Sequence, residues 1–223
     1  MVEARFRTAA QILIPSALAF ALMIAPGTGA AGASKGDPIA TLNDGGATRA
    51  DRIKAAKALA HSKSPQAIDA LIKQLSIMDE GIVAELKTSL RALKAVPVLE
   101  QRLADSGSSE EQKVLACIGL RVLKERSSIP PLISALKDQS PRVRKEAALA
   151  LGVIAPAEAE AELLTALSDS DEDVRYFAAD ALGDVPTAAV RQAIEKRLAA
   201  ETNPVVRSAL LAAKNKLERA PEK

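Results

Sequence analysis

Residues 136–154 read LKDQSPRVRKEAALALGVI and residues 167–185 read LSDSDEDVRYFAADALGDV, and this pair decides the fold. A shift of 31 residues lays Leu136, Asp138, Val143, Arg144, Ala147, Ala148, Leu151 and Gly152 on Leu167, Asp169, Val174, Arg175, Ala178, Ala179, Leu182 and Gly183. Eight identities at one fixed offset mark an internal repeat. A period of about 20 to 50 residues is the signature of a solenoid, in which each unit buries its apolar face only against its neighbours.

The register extends outward in both directions. Upstream, Lys113, Ala116, Cys117, Leu120 and Leu123 underlie Arg144, Ala147, Ala148, Leu151 and Ile154. Downstream, Leu167 reaches Leu198, and Val174-Arg175 reaches Val206-Arg207 with one extra residue. Farther upstream, Leu86, Leu90 and Leu93 keep only the spacing of four then three, the stripe of an amphipathic helix. Each unit reads as two helices. Pro65, Pro97, Pro130-Pro131, Pro156 and Pro186 open the first of each pair, and Pro141 and Pro204 open second helices. Proline suits the first helical turn, where its missing N–H leaves no bond unmade. Helices are predicted near 49–60, 65–76, 80–93, 97–104, 109–125, 130–137, 141–154, 156–167, 172–184, 186–199 and 203–219, which makes about five helix pairs plus a terminal helix.

Composition agrees. There are 45 alanines in 223 residues, aromatics are 2%, and charged residues are 26%. Strands would want β-branched and aromatic residues in alternating runs, whereas Ala, Leu, Glu, Lys and Arg favour helices nearly throughout, so the fold class is all-α. A formal charge of +2 gives no general electrostatic case for nucleic acid. One His and one Cys allow neither a metal cluster nor an intramolecular disulfide, and no cofactor fingerprint is present.

The first stretch reads differently. Arg5 and Arg7 precede the apolar run Ala9–Pro26, and the small-residue segment GTGAAGAS follows, with A-x-A-like cuts after Ala30 or Ala33. That order describes a secretory signal peptide over 1–33, and the run is short for a bilayer span of about 20 residues. The expectation is a protein exported to the periplasm or beyond, with no stable membrane insertion after cleavage; an uncleaved N-terminal anchor is the alternative. Residues 34–48, rich in Gly, Pro, Asn and Asp, read as a flexible linker, and 49–220 as the repeat solenoid.

The pattern L-x-D-x-x-x-x-V-R-x-x-A-A-x-x-L-G resembles HEAT repeats, most closely the short HEAT-like type named for phycobilisome lyases. The resemblance implies a right-handed α-solenoid whose second helices line the concave face. It also implies a ladder between repeats, built from a turn aspartate and the arginine six residues later. The matching positions are Asp138 with Arg144 and Asp169 with Arg175; Lys113 has Gly107 six residues before it, so the ladder is expected to lapse there. HEAT-repeat hydroxylases with a di-iron centre use several His-Glu pairs, and a single His61 excludes that activity.

Candidate sites are few. Asp169, Asp171, Asp173 and Asp180 echo a calcium loop, but Val174 replaces its glycine, and the acids suit a helix N-terminus. Cys117 aligns with Ala148 and Ala179 and reads as a small buried residue. Tyr176 and Phe177 are the only aromatics after residue 33. They read either as a partner-binding anchor on the concave face or as packing on a neighbouring repeat. Phe177, Asp180 and Asp184 share one helix face, so the expected site is an aromatic anchor at Tyr176 or Phe177 flanked by Asp180 and Asp184, preferring a segment with Lys or Arg. The expected function is a non-catalytic, monomeric interaction module or assembly scaffold for a protein or peptide. The alternatives are a bilin lyase-like chromophore-attachment chaperone and a purely structural envelope spacer.

Overall fold

The computed structural model describes residues 36–62, 64–76 and 80–220. The segment 1–33 expected to be a signal peptide, with the cuts expected after Ala30 or Ala33, lies outside the described residues. Twelve α-helices make up the described chain: α1 (Pro38–Asn43), α2 (Arg49–Leu59), α3 (Pro65–Lys73), α4 (Glu80–Ala92), α5 (Ala95–Ala104), α6 (Glu110–Leu123), α7 (Ile129–Ala135), α8 (Pro141–Ile154), α9 (Glu160–Ala166), α10 (Glu172–Leu182), α11 (Ala188–Ala200) and α12 (Pro204–Arg219). The expected helices are all present. Capping chemistry sets several starts: Thr48 with Asp51 and Ser109 with Gln112 form capping boxes, and Asp171, Thr187 and Asn203 cap α10, α11 and α12. Pro65, Pro141 and Pro204 open their helices. Pro97 instead falls inside the first turn of α5, and Pro156 opens a short 3-10 turn ahead of α9.

The lead over 34–48 is not a free linker where it is described. Asp37 caps α1, Leu42 is fully buried, and α1 lies against α2. The Arg52 guanidinium holds this lead down by donating to the carbonyls of Leu42 (2.8 Å), Asp44 (2.7 Å) and Ala47 (3.3 Å). The helix expected to stand alone therefore has a partner, and the described chain is six pairs, from α1–α2 to α11–α12.

One core runs through these pairs. Second helices α6, α8, α10 and α12 stack on one another, and Ala147, Ala148, Ala178, Ala179, Leu151 and Leu182 between them are fully buried. Gly152 lets α8 approach α10 closely, because a Cβ there would stand 2.8 Å from the Ala181 Cβ. Gly183 does the same against Ala213 of α12. Cys117 of α6 occupies the position of Ala148 and Ala179, fully buried, and that burial pushes its thiol pKa up, so it stays a neutral thiol.

Candidate interaction face

The turn before each regular second helix is built by one acid. Asp138 Oδ1 accepts the Ser140 N–H, Asp169 Oδ1 the Asp171 N–H and Glu201 Oε1 the Asn203 N–H, each at 2.9 Å. Asp44 and Asp105 make the same bond to Gly46 and Gly107. An arginine then completes the turn. Arg144 Nη1 donates to the carbonyls of Asp138 and Gln139, and Arg175 Nη1 to those of Asp169 and Ser170. The other guanidinium edge reaches forward. Arg144 Nε and Nη2 clasp the Asp169 carboxylate at 2.8 Å, and Arg175 clasps Glu201 at 2.8 and 3.2 Å.

The ladder thus runs between neighbouring repeats and is not closed between Asp138 and Arg144 or between Asp169 and Arg175 inside one repeat. Those residues meet through the aspartate carbonyl, while the carboxylate belongs to the arginine of the preceding repeat. Nor does it lapse at Lys113, whose Nζ donates to Asp138 Oδ2 at 2.8 Å. Glu201, 4% exposed, is the rung not anticipated, although it stands six residues before Arg207 as Asp138 stands before Arg144. Two arginines, Arg175 and Arg197, and the N–H groups of Thr202 and Asn203 surround its carboxylate. The Arg175 hydrogen bond, against the opposing cost of burial, holds its pKa at about 2. Asp138 and Asp169 are also lowered: burial works against them, but Lys113 and Arg144 respectively outweigh it. These commitments dispose of the calcium-loop pattern, since Asp169 serves Arg144 and Asp171 accepts the Val174 N–H at 3.1 Å.

With the ladder facing the next turn and the alanines facing the core, each second helix keeps one further face. On α10 and the turn that follows it, this face carries Phe177, Asp180 and Asp184. Tyr176 and Phe177 are half-buried against the core and meet edge to face, with ring centroids 5.0 Å apart and planes at 82°. Burial, helped by the negative charge of Asp180, raises the Tyr176 phenol pKa. Asp180 and Asp184 are exposed, and both lie by Lys216 of α12, whose Nζ is 3.2 Å from Asp184 and 4.0 Å from Asp180. In register, α8 offers Glu146, Leu149 and Val153, the last 41% exposed, and α6 offers Leu115, Ile118 and Val122. The face therefore runs from apolar on α6, where Leu115 is buried, through mixed on α8 to aromatic and acidic on α10, with a lysine beyond.

Among the described residues no group of three or more His, Cys, Asp or Glu is placed to hold a metal ion, and no helix is long and apolar enough to cross a membrane.

No curated protein matches the chain. Solved structures similar to it include human deoxyhypusine hydroxylase in complex with glycerol (21% identity, 82% of this chain and 73% of that one, TM-score 0.48). A second is a computationally designed armadillo repeat protein for modular peptide recognition (21% identity, 80% and 98%, TM-score 0.48). A third is the CpcE–CpcF complex of phycocyanin lyase from Nostoc sp. PCC7120 (19% identity, 81% and 80%, TM-score 0.34). Family models match more directly. HEAT repeats match residues 96–159 and 129–214, together more than half of the chain, and the PBS lyase HEAT-like repeat matches residues 51–76. With a turn acid and a forward-reaching base recurring along stacked helix pairs, the chain belongs to the HEAT-repeat family.

Proposed function

We propose that this HEAT-repeat protein is an exported, non-catalytic interaction module that holds a protein or peptide partner along the second-helix face of α6, α8, α10 and α12. The observation carrying this reading is where residue type is kept and where it changes. Core and ladder positions hold their chemistry between α8 and α10, while the third face replaces Glu146, Leu149 and Val153 by Phe177, Asp180 and Asp184. The exposed Val153 on α8 and the aromatic pair on α10 are the kinds of side chain that anchor partners. Asp180 and Asp184 favour a partner segment carrying Lys or Arg, which has to displace or share Lys216. Rim contacts of this type weaken with salt, since screening acts within about 8–10 Å.

Capture from an envelope fraction tests the reading. Val153→Lys changes only an exposed side chain and is expected to lower partner recovery, as is Tyr176→Ala/Phe177→Ala. Equal recovery by all three proteins, with helix content unchanged by circular dichroism, overturns the site and leaves a structural spacer. Export has its own test: intact mass from the exported fraction is expected to place the N-terminus between residues 31 and 34, and full-length chain in membranes would mean an anchor. The match of residues 51–76 to the PBS lyase HEAT-like repeat supports a second reading, a bilin lyase-like chaperone. Bilin titration separates the two, because binding followed by thioether formation on an acceptor favours the lyase.

A further inference from the structure

The two ends of the solenoid are complementary halves of its own repeat contact. Inside the molecule that contact has three parts. A base reaches the next turn acid, as Lys113, Arg144 and Arg175 reach Asp138, Asp169 and Glu201. Four residues after the base, Cys117, Ala148 and Ala179 are fully buried. Six residues after it, Ala150, Ala181 and Ala213 are buried on the opposite side of the helix, and Ala181 and Ala213 are met there by Gly152 and Gly183 of the preceding repeat.

At α12 the same register is open. Arg207 Nη1 completes its own turn by donating to the carbonyls of Leu198 (2.7 Å) and Glu201 (2.9 Å), but among the described residues no acid meets its other edge. Four residues on, where α8 and α10 carry sealed alanines, stands Leu211, 47% exposed. A terminal repeat is ordinarily polar on its outer face, and a half-exposed leucine in the stacking position is the opposite. At α1–α2 the complementary half is open. Asp44 makes the turn-building bond to Gly46, yet no base reaches its carboxylate among the described residues. Arg52 is the ladder residue of α2, and six residues after it Ala58 is exposed where Ala150, Ala181 and Ala213 are buried.

We infer that the α11–α12 end of one copy receives the α1–α2 end of a second copy, with Arg207 clasping Asp44 and Leu211 seated against α2 beside Ala58. The occupant follows from the chain itself: the missing acid of one end and the missing base of the other are the successive members of a ladder already formed three times within the molecule. The contact is heterologous, so copies add head to tail and no two-fold dimer satisfies it. This replaces the monomer expected from the sequence, and it stands apart from the second-helix face proposed for the partner.

Sedimentation velocity over a concentration series, on the chain as purified from the cells that express it, is the test. The native protein is expected to show masses of two and more copies that rise with concentration and fall with added salt. Arg207→Glu and Asp44→Arg are each expected to sediment as single chains. Their equimolar mixture is expected to regain association into alternating chains, because the unaltered ends, Asp44 of one variant and Arg207 of the other, still match, and the two charge-reversed ends match each other. Leu211→Lys, at a half-exposed position, is expected to raise the concentration for half-association by at least about tenfold through lost apolar burial, with helix content unchanged. A native protein that stays a single chain across the series overturns the inference. So does association that survives in each charge variant, or a mixture that behaves as its separate components while helix content is unchanged.

Discussion

The half of the described chain before residue 105 and the half after it use one architecture with different fittings. From α6 to α12 the turns are acid-built, the rungs are ionic, and glycines at 152 and 183 bring neighbouring second helices together. From α1 to α5 the corresponding rung is Arg52 to the amide oxygen of Gln74 (3.0 Å), a neutral acceptor that in turn donates to Asn43. Ser89 Oγ donates to the Ala56 carbonyl across α4 and α2, and the Arg102–Asp69 pair ties α5 to α3. These are individual fastenings rather than a repeated one. In a solenoid, stability is the sum of unit terms and neighbour terms. The regular half is therefore expected to melt as one cooperative block and the irregular half more independently.

The largest effect separating them comes from the core. Leu86 and Leu182 are both fully buried, and Leu→Gly at either should cost about 3–5 kcal/mol from lost burial, cavity and helix propensity. Native-state hydrogen exchange should show loss of protection spreading over α8–α12 for Leu182→Gly and confined to α2–α5 for Leu86→Gly. Equal spread in both would erase the distinction.

Next are the rungs. Glu201→Ala strands Arg175 and Arg197 beside a buried turn and is expected to cost about 2–4 kcal/mol in denaturant melts. Gln74→Ala removes a neutral acceptor and should cost about 1 kcal/mol.

Acid sharpens the same contrast. The folded pKa of Glu201 is depressed from 4.5 to about 2, so its contribution is complete above pH 4.5 and is lost as pH falls toward 2. Asp138 and Asp169 shift in the same direction. Between those limits the regular half should lose about 2–3 kcal/mol from the Glu201 rung, while Arg52–Gln74, with no carboxylate, stays level. Exchange measured at pH 3 and pH 6 would read the difference half by half.

The smallest effect concerns glycine. A Cβ on Gly152 would meet Ala181 Cβ and Cα, so the helices must separate, whereas one on Gly119 would meet the flexible ends of Leu99 and Ile72. Gly→Ala gains about 1 kcal/mol of helix propensity at both sites, so thermal melts should show a net loss at Gly152 and near neutrality at Gly119.

Much of this architecture was legible in the sequence because close helix stacking leaves few solutions at the buried positions. The stripe Val143, Ala147, Ala148, Leu151 and its 31-residue echo located the helices from 49 to 219, most of them to within a few residues. Helix α1 escaped because Pro38–Asn43 is six residues between breakers, and what makes it a helix is lateral: Leu42 in the core and Arg52 on its carbonyls. Glu201 escaped because it lies 32 residues from Asp169, not 31, and is a glutamate. The direction of the ladder escaped too, since spacing gives which residues recur, not whether a guanidinium turns back or forward. Tyr176 and Phe177 meet edge to face, and Asp180 and Asp184 both lie by Lys216. Lys216 beside them comes from another helix, outside the reach of a single-helix pattern.

The edge-to-face ring pair on α10 also gives the molecule a spectroscopic address. With no tryptophan and a single tyrosine in the sequence, tyrosine emission originates from Tyr176 alone. Phe177 stands 5.0 Å from it, and Asp180 lies one turn ahead. Tyrosine fluorescence of the unlabelled protein thus reports one turn of one helix, and a quencher or a bound segment on that face can be followed without introducing a dye.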